Sequence, residues 1–299
     1  MNNKITSFVH THATHLESLY EHEEEREQAV WWLLEAITNK SQAELIAHDE
    51  KITKNQIEKL HELIVMHARE KIPLQYLIGW VPFAQTRIFV EPPTLIPRPE
   101  TEEWTLKLLK MLTKLGNSHI SILELCTGSG CIAIALARTL PNASIDATDT
   151  SHTALALAKK NAEYNKVSNI HFIQSDVYDQ LNPHNQYDLI IANPPYITPH
   201  EWQQLSPMVT KWEDKHALVA ENDGVAIIQR IISNAPSFLK KNTEFIQHNI
   251  PQLWIEIGYT QGTHVQTLAE KAGFSNVHIE KDLSGKERLI HAQYYLSEE

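Results

Sequence analysis

The chain has 299 residues, more than one hydrophobic core usually organises, so a large domain accompanied by a smaller one is the natural expectation. Its 26 Lys and Arg against 37 Asp and Glu leave a formal charge of −11, which argues against a protein that grips duplex nucleic acid by neutralising phosphates. Cys126 and Cys131 flank a glycine turn and fit neither a disulfide framework nor a zinc-ligand spacing, and no apolar run approaches the ~18 residues that span a bilayer, so a soluble protein of the reducing cytoplasm is expected.

Residues 1–78 read as a small helical domain. Val30, Leu33, Leu34 and Ile37 recur at i, i+3, i+4, i+7, and Ser41-x-x-Glu44 and Thr53-x-x-Gln56 each have the form of a capping box that opens a further helix. Ile57, Leu60 and Ile64 continue the last of these until Pro73 stops it. His10, His12, His15 and His22 invite a metal reading, but they share no helical register and no second ligand cluster accompanies them; solvated histidines with no metal are expected. Residues 79–99 carry prolines at 82, 92, 93, 97 and 99 around the apolar run Ile88-Phe89-Val90, the composition of a hairpin-like connector.

From residue 100 to 299, strand-like and helix-like segments alternate. Helices are predicted to about 115, then over 130–140, 152–165, 224–241 and 263–272; strands over 120–125, 144–148, 170–174, 187–192, 253–257, 276–280 and 288–295. Such alternation predicts an α/β fold with a mostly parallel seven-stranded sheet and helices on both faces.

Two stretches of this region carry chemistry. The first, Ile122-Leu123-Glu124-Leu125-Cys126-Thr127-Gly128-Ser129-Gly130, is a strand that runs into a glycine turn and opens a helix, the context in which backbone approaches a bound ligand closely. Gly128, Gly130 and Ala133, with Asp149 beyond them, also satisfy a dinucleotide fingerprint, so a nicotinamide enzyme is a rival at this point. Glu124 favours S-adenosylmethionine instead, since a carboxylate beside the glycines suits a cationic amino-acid end and opposes a pyrophosphate. On that reading Asp149 accepts the ribose hydroxyls, Asp176 takes the adenine amine and Val177 lies against the ring. The second stretch, Asn193-Pro194-Pro195-Tyr196, follows the apolar run Tyr187-Asp188-Leu189-Ile190-Ile191-Ala192, at a strand end where doubly wound folds place their sites. Prolines fix φ and lack N–H groups, so the carbonyls beside them turn outward; with the Asn193 side-chain oxygen they can accept both hydrogens of a planar –NH2 group while Tyr196 offers a flat face.

Glycine turn, strand-end acids and Asn-Pro-Pro-Tyr together resemble class I adenosylmethionine-dependent methyltransferases that modify a planar nitrogen. Within that group the chain resembles the PrmC/HemK family of peptide chain release factor glutamine-N(5) methyltransferases, on Pro73-Leu74-Gln75-Tyr76-Leu77-Ile78-Gly79, on Thr94-Leu95-Ile96-Pro97-Arg98-Pro99-Glu100-Thr101-Glu102 and on Lys281-Asp282-Leu283-Ser284-Gly285-Lys286-Glu287-Arg288. The resemblance implies S-adenosylmethionine bound by Glu124, Cys126, Thr127, Gly128, Ser129, Gly130, Asp149, Asp176, Val177 and Asn193. It implies a release-factor glutamine held by Asn193, Pro194, Pro195 and Tyr196, with Asn193, Pro194 and Tyr196 as the catalytic groups. A monomer that binds neither nucleic acid nor membrane is expected. Cys126 stands where the family usually has the first glycine of its turn, Val177 where it often has Trp, and Trp212-Glu213-Asp214 where Tyr-Glu-Pro is more usual. A glutamine methyltransferase of a ribosomal protein and, less favoured by the acidic charge, a DNA adenine methyltransferase are the alternatives.

Overall fold

The computed structural model describes residues 4–49 and 51–294. Met1–Asn3 and Glu50 of the expected helical domain and Tyr295 of the last expected strand lie outside the described residues. The chain forms two compact units, residues 1–80 with 206–212, and residues 81–205 with 213–299.

The first unit is helical: α1 (Lys4–Ala13), α2 (Glu23–Thr38), α3 (Gln42–Ala47), α4 (Lys54–Val65), a π-type turn (Met66–Glu70) and α5 (Leu74–Ile78). Both predicted capping boxes are formed: the Ser41 and Thr53 side chains accept from the third helical N–H, and Glu44 and Gln56 return to the capping residue's own N–H. Glu23, Glu24 and Glu25 put negative charge on the first turn of α2, where the helix dipole favours it. Leu16, Val30, Leu33, Leu34, Leu45 and Leu60 fill the core of this unit. His12 departs from the expected solvated state. It is buried, its Nδ1 lies 2.7 Å from the Phe8 carbonyl and its ring stacks on His61, because the apolar face of α1 turns it inward.

In chain order there follow β1 (Trp80–Phe83), β2 (Thr86–Phe89), α6 (Pro99–Leu112), β3 (Ser121–Leu125), α7 (Cys131–Thr139), β4 (Ser144–Asp149), α8 (His152–Tyr164), β5 (Ile170–Gln174) and β6 (Leu189–Ala192). The short α9 (Pro199–Trp202) and α10 (Pro207–Thr210) precede α11 (Ala226–Phe238), α12 (Thr243–Gln247), β7 (Leu253–Glu256), α13 (Gly262–Lys271), β8 (Phe274–Lys281) and β9 (Glu287–Tyr294). β1 and β2 pair as a hairpin. The main sheet has the order β5-β4-β3-β6-β7-β9-β8, with β9 antiparallel to both of its neighbours. Buried on both faces, β6 and β7 are apolar almost throughout, as parallel central strands are.

Several predicted boundaries move, those of the 224–241 helix and the 187–192 strand among them. α11 begins at Ala226 because Asn222, Asp223 and Gly224 all take positive φ, and it ends at Phe238 because Pro236 stands in its last turn and Leu239 turns extended to bridge Tyr187. Tyr187 lies outside β6, which begins at Leu189. Strand order reverses between β3 and β6, which opens a crevice at their carboxyl ends. Leu125 is in register with Ala192 on one side and Thr148 on the other, so Cys126, Asn193 and Asp149 all emerge along one edge of the sheet.

Candidate active site

That edge opens into a cavity of about 400 Å³, within the range of small-molecule sites. Of the residues singled out in the sequence, Cys126, Gly128, Asp149, Asp176, Val177, Asn193 and Pro195 line it, together with Leu95, Asp214 and Glu221. Thr127, Ser129, Gly130, Pro194 and Tyr196 lie next to these in the chain without lining it.

The glycine turn is held from below. Thr127 N–H bonds to the Thr148 carbonyl (2.8 Å), Gly130 N–H to the Thr127 carbonyl (2.9 Å), and the buried Asn161 side chain donates to the Ser129 carbonyl (3.0 Å) while accepting from the Phe89 N–H (2.7 Å). Gly130 has φ +79 and packs on α8 so closely that a Cβ would stand 3.0 Å from that of Ala158. Gly128, with φ +54, faces open space, where a Cβ would intrude on anything bound. Cys126 itself sits at φ +59, which accounts physically for a glycine being usual there.

Asp149 ends β4 with its carboxylate fixed between two backbone donors, Gly128 N–H (2.9 Å) and Ser151 N–H (2.8 Å); burial pushes its pKa up against those bonds. Asp176 stands past β5, half-exposed and forked by Arg230 at 2.9 and 3.1 Å. Val177 is buried with φ +53, an outlying backbone conformation for a β-branched residue, and Ser175 Oγ donates to its carbonyl.

Glu124, expected to hold the cofactor's amino end, is fully buried beneath the turn and is not among the residues that line the cavity. Its Oε2 accepts from Thr127 Oγ1 (2.7 Å) and from Ala133 N–H (3.0 Å), so it caps the amino end of α7 from outside that helix. Burial raises its pKa to about 8. The residue one position before a strand end faces the core at this register, and the carboxylate serves the fold.

The tetrad is braced at both ends. Asn193 Nδ2 donates to Thr101 Oγ1 (3.1 Å), and Thr101 donates in turn to Glu256 Oε2 (2.6 Å). Tyr196 donates its hydroxyl to Glu256 Oε1 (3.0 Å) and lies 3.4 Å from Arg288 Nη1; burial, with the Glu256 charge, drives its pKa far up, so it stays a neutral phenol. The Tyr196 carbonyl accepts from Gln261 Nε2 at 2.9 Å. Arg98 pairs with the buried Glu213, at 2.8 and 2.6 Å, and Asp214 N–H bonds to the Pro93 carbonyl (2.8 Å), which ties the 213–214 loop over the cavity. Thr101, Asn161, Glu256 and Gln261 carry no local sequence signal of these roles. Thr101 lies within the run Thr94–Glu102, but its partner Glu256 is 155 positions away, and no local pattern connects them.

The residues present fit S-adenosylmethionine: a glycine with free space before it, a strand-end carboxylate anchored by backbone, and an acidic lining of Asp149, Asp176, Asp214 and Glu221 that suits a cation. Sheet order and site together define an S-adenosylmethionine-dependent methyltransferase of class I. The hMettl16 catalytic domain, solved in complex with a MAT2A 3′UTR hairpin, superposes with a TM-score of 0.50 at 16% identity over 82% of this chain and 84% of that one, which places the fold alone.

Residues 99–211 match the model of the methyltransferase small domain, and residues 12–79 that of the PrmC N-terminal domain. The chain is 41% identical to the release factor glutamine methyltransferase of Lactococcus lactis, over 81% of this chain and 84% of that one. It is 34% identical to that of Flavobacterium psychrophilum over 98% and 99%. It belongs to the release factor glutamine methyltransferase family.

Proposed function

We propose that this chain methylates the side-chain amide nitrogen of the glutamine in the Gly-Gly-Gln loop of peptide chain release factors, and that Asn193-Pro194-Pro195-Tyr196 is the clamp that holds that amide. The observation that carries the reading is the orientation of Asn193: one Nδ2 hydrogen is committed to Thr101, which turns the Oδ1 edge away from Thr101 as the acceptor to offer a substrate N–H.

A carboxamide nitrogen is a poor nucleophile because its lone pair is delocalised into the carbonyl. Asn193 Oδ1 and the Pro194 carbonyl, by accepting its two hydrogens, turn the nitrogen to face the donor and stabilise the positive charge it develops. Bound S-adenosylmethionine supplies an electrophilic methyl on a sulfonium, and Cys126, Gly128, Asp149, Asp176 and Val177 line the space for it. Alignment of this kind can lower a barrier by ~7–11 kcal/mol, and each acceptor at the clamp adds roughly 3 kcal/mol by analogy with single oxyanion-hole groups. No strong base is needed, because the proton leaves once methylation has made the nitrogen acidic. Tyr196, fixed through its hydroxyl, walls one side of the glutamine.

The helical unit of residues 1–80 supplies affinity for the protein substrate that a three-residue loop cannot. A charge of −11 supports a protein substrate over a nucleic acid one, and two free cysteines suit the cytoplasm. On this reading the enzyme acts as a monomer.

Incubation with labelled S-adenosylmethionine, a release factor and its Gly-Gly-Ala variant tests the substrate: label is expected on the first protein only. Label on both, or on a large-subunit ribosomal protein in preference, would contradict it. Asn193→Ala is expected to lower the transfer rate by on the order of 100-fold or more with little change in cofactor affinity.

A further inference from the structure

We infer that Thr101, itself held by Glu256, determines which way round the Asn193 carboxamide faces, so that these two residues form a positioning device for methyl transfer. The inference rests on the proposed role of Asn193 as an acceptor for the substrate amide.

An asparagine side chain has an acceptor edge and a donor edge of nearly the same shape. Turned one way, Asn193 offers Oδ1 to a glutamine N–H; turned by half a rotation, it offers Nδ2 and opposes two donors. Something must choose between the two before the substrate arrives. Asn193 is half-buried and its nitrogen contacts one side-chain oxygen, Thr101 Oγ1, at 3.1 Å.

A threonine hydroxyl owns a single hydrogen and two lone pairs. That hydrogen is committed. Thr101 Oγ1 lies 2.6 Å from Glu256 Oε2, and Glu256 collects two further donors, Trp104 Nε1 at 2.9 Å and the Tyr196 hydroxyl at 3.0 Å. Burial raises the Glu256 pKa, but three donors converge on the group with the Arg288 cation beyond Tyr196, and together they oppose that rise and favour an acceptor-only carboxylate. Thr101 can therefore present only lone pairs to Asn193. A flipped Asn193 would set Oδ1 against them with no hydrogen between, an unsatisfied contact in a partly buried place. The observed orientation is the one the network permits.

The parts come from distant positions. Thr101 is the third residue of α6, two positions after Pro99 fixes the start of that helix, and Glu256 is the last residue of β7. Glu256 thus holds both ends of the tetrad, Tyr196 directly and Asn193 through Thr101. A role in stability alone would explain the burial of Glu256; it would not require that Thr101 be a donor to one neighbour and an acceptor from the other.

Thr101→Val keeps shape and volume and removes the hydroxyl. It is expected to lower kcat by about 10- to 100-fold while KM for the release factor and cofactor affinity by calorimetry change little; the melting temperature falls as well, because Glu256 loses one of its three donors. Thr101→Ser, which restores the hydroxyl, is expected to recover most of the rate. In an Asn193→Ala background Thr101→Val should cost nothing more, because no carboxamide is left to orient. Should Thr101→Val not fold, Thr101→Ala is read in the same way. Normal kcat in Thr101→Val beside a crippled Asn193→Ala overturns this inference and leaves the clamp standing, whereas near-normal turnover in Asn193→Ala removes the clamp itself. A loss confined to KM, cofactor affinity or melting temperature, or one that persists undiminished in the Asn193→Ala background, overturns it as well.

Discussion

Gly224 lies against the carbonyl of Tyr196 so closely that a Cβ on it would stand 2.1 Å from that oxygen. The same carbonyl is held by Gln261 Nε2, which also donates to the Asp223 carbonyl, so the back of the tetrad, the turn before α11 and the start of α13 meet at one point. Gly224 also has φ +79, strained for any L side chain. Gly224→Ala is accordingly expected to displace the Tyr196 backbone and to lower methyl transfer by an order of magnitude or more, beyond the destabilisation of roughly 1–2 kcal/mol that the dihedral alone would cause. Parallel measurement of turnover and of denaturant unfolding separates the two. Turnover that falls no further than a matched Ala substitution at the distant Gly273, which has φ +91 and open space around it, would rule the contact out as functional.

The asparagine-proline corner and the glycine turn were readable from sequence because each is a contiguous run with its own chemistry, and the sheet because its strands alternate with amphipathic helices at short spacing. What supports them was not. Gln261 reaches Tyr196 across 65 positions and Glu256 reaches it across 60, and a glutamine opening a helix or a glutamate ending a strand has no local signature of such a task. The burial of Glu124 is illegible for a related reason: sequence places it beside the glycines, but side-chain direction in a strand depends on register with β4 and β6, which fixes it underneath. The short helices α9, α10 and α12 carry too few residues for periodicity to register.

Arg98 and Glu213 pair over a gap of 115 positions, and Glu213 has 1% of its side chain exposed against 31% for Arg98. Burial raises the Glu213 pKa and the guanidinium opposes that rise. Removal of the arginine alone strands a buried carboxyl, a change that typically costs about 3–5 kcal/mol and less if the group takes up a proton. Arg98→Met should therefore destabilise the protein and weaken cofactor binding, since the same loop brings Asp214 to the cavity. Arg98→Met with Glu213→Leu should recover most of the stability. Equal unfolding midpoints for the wild type and Arg98→Met would show that the pair contributes nothing.

Cys126 has φ +59 in a turn whose other left-handed residues are glycines, and its half-buried side chain packs on the core beneath β3. Burial and the nearby Asp149 and Glu124 carboxylates push its thiol pKa well up, so it is an inert, protonated group rather than a nucleophile. Cys126→Gly relieves backbone strain of roughly 1–2 kcal/mol and forfeits a small apolar contact of about the same size. Cofactor affinity within about threefold of wild type is the expected calorimetric result, by the size of a difference smaller than 1 kcal/mol. A large loss would assign the sulfur a direct role at the cofactor.

Glu124 makes stability depend on pH with a sign opposite to that of a salt-bridged acid. Its carboxyl has an ordinary value of 4.5 and a folded value of about 8. Between the two the native protein keeps a proton that the unfolded chain has released, so the folded state binds more protons and stability falls as pH rises across that window, by at most about 1.4 kcal/mol per pH unit from this group. Glu124→Gln preserves an acceptor for Thr127 and Ala133 N–H and cannot ionise. Since burial also raises Asp149, Glu213 and Glu256, the informative quantity is the difference between the two proteins. Urea unfolding of the cofactor-free proteins at pH 5.5 and pH 8 should show the variant gaining on the wild type as pH rises. Parallel pH profiles would mean that Glu124 remains charged beneath the turn and that its second oxygen has found a donor.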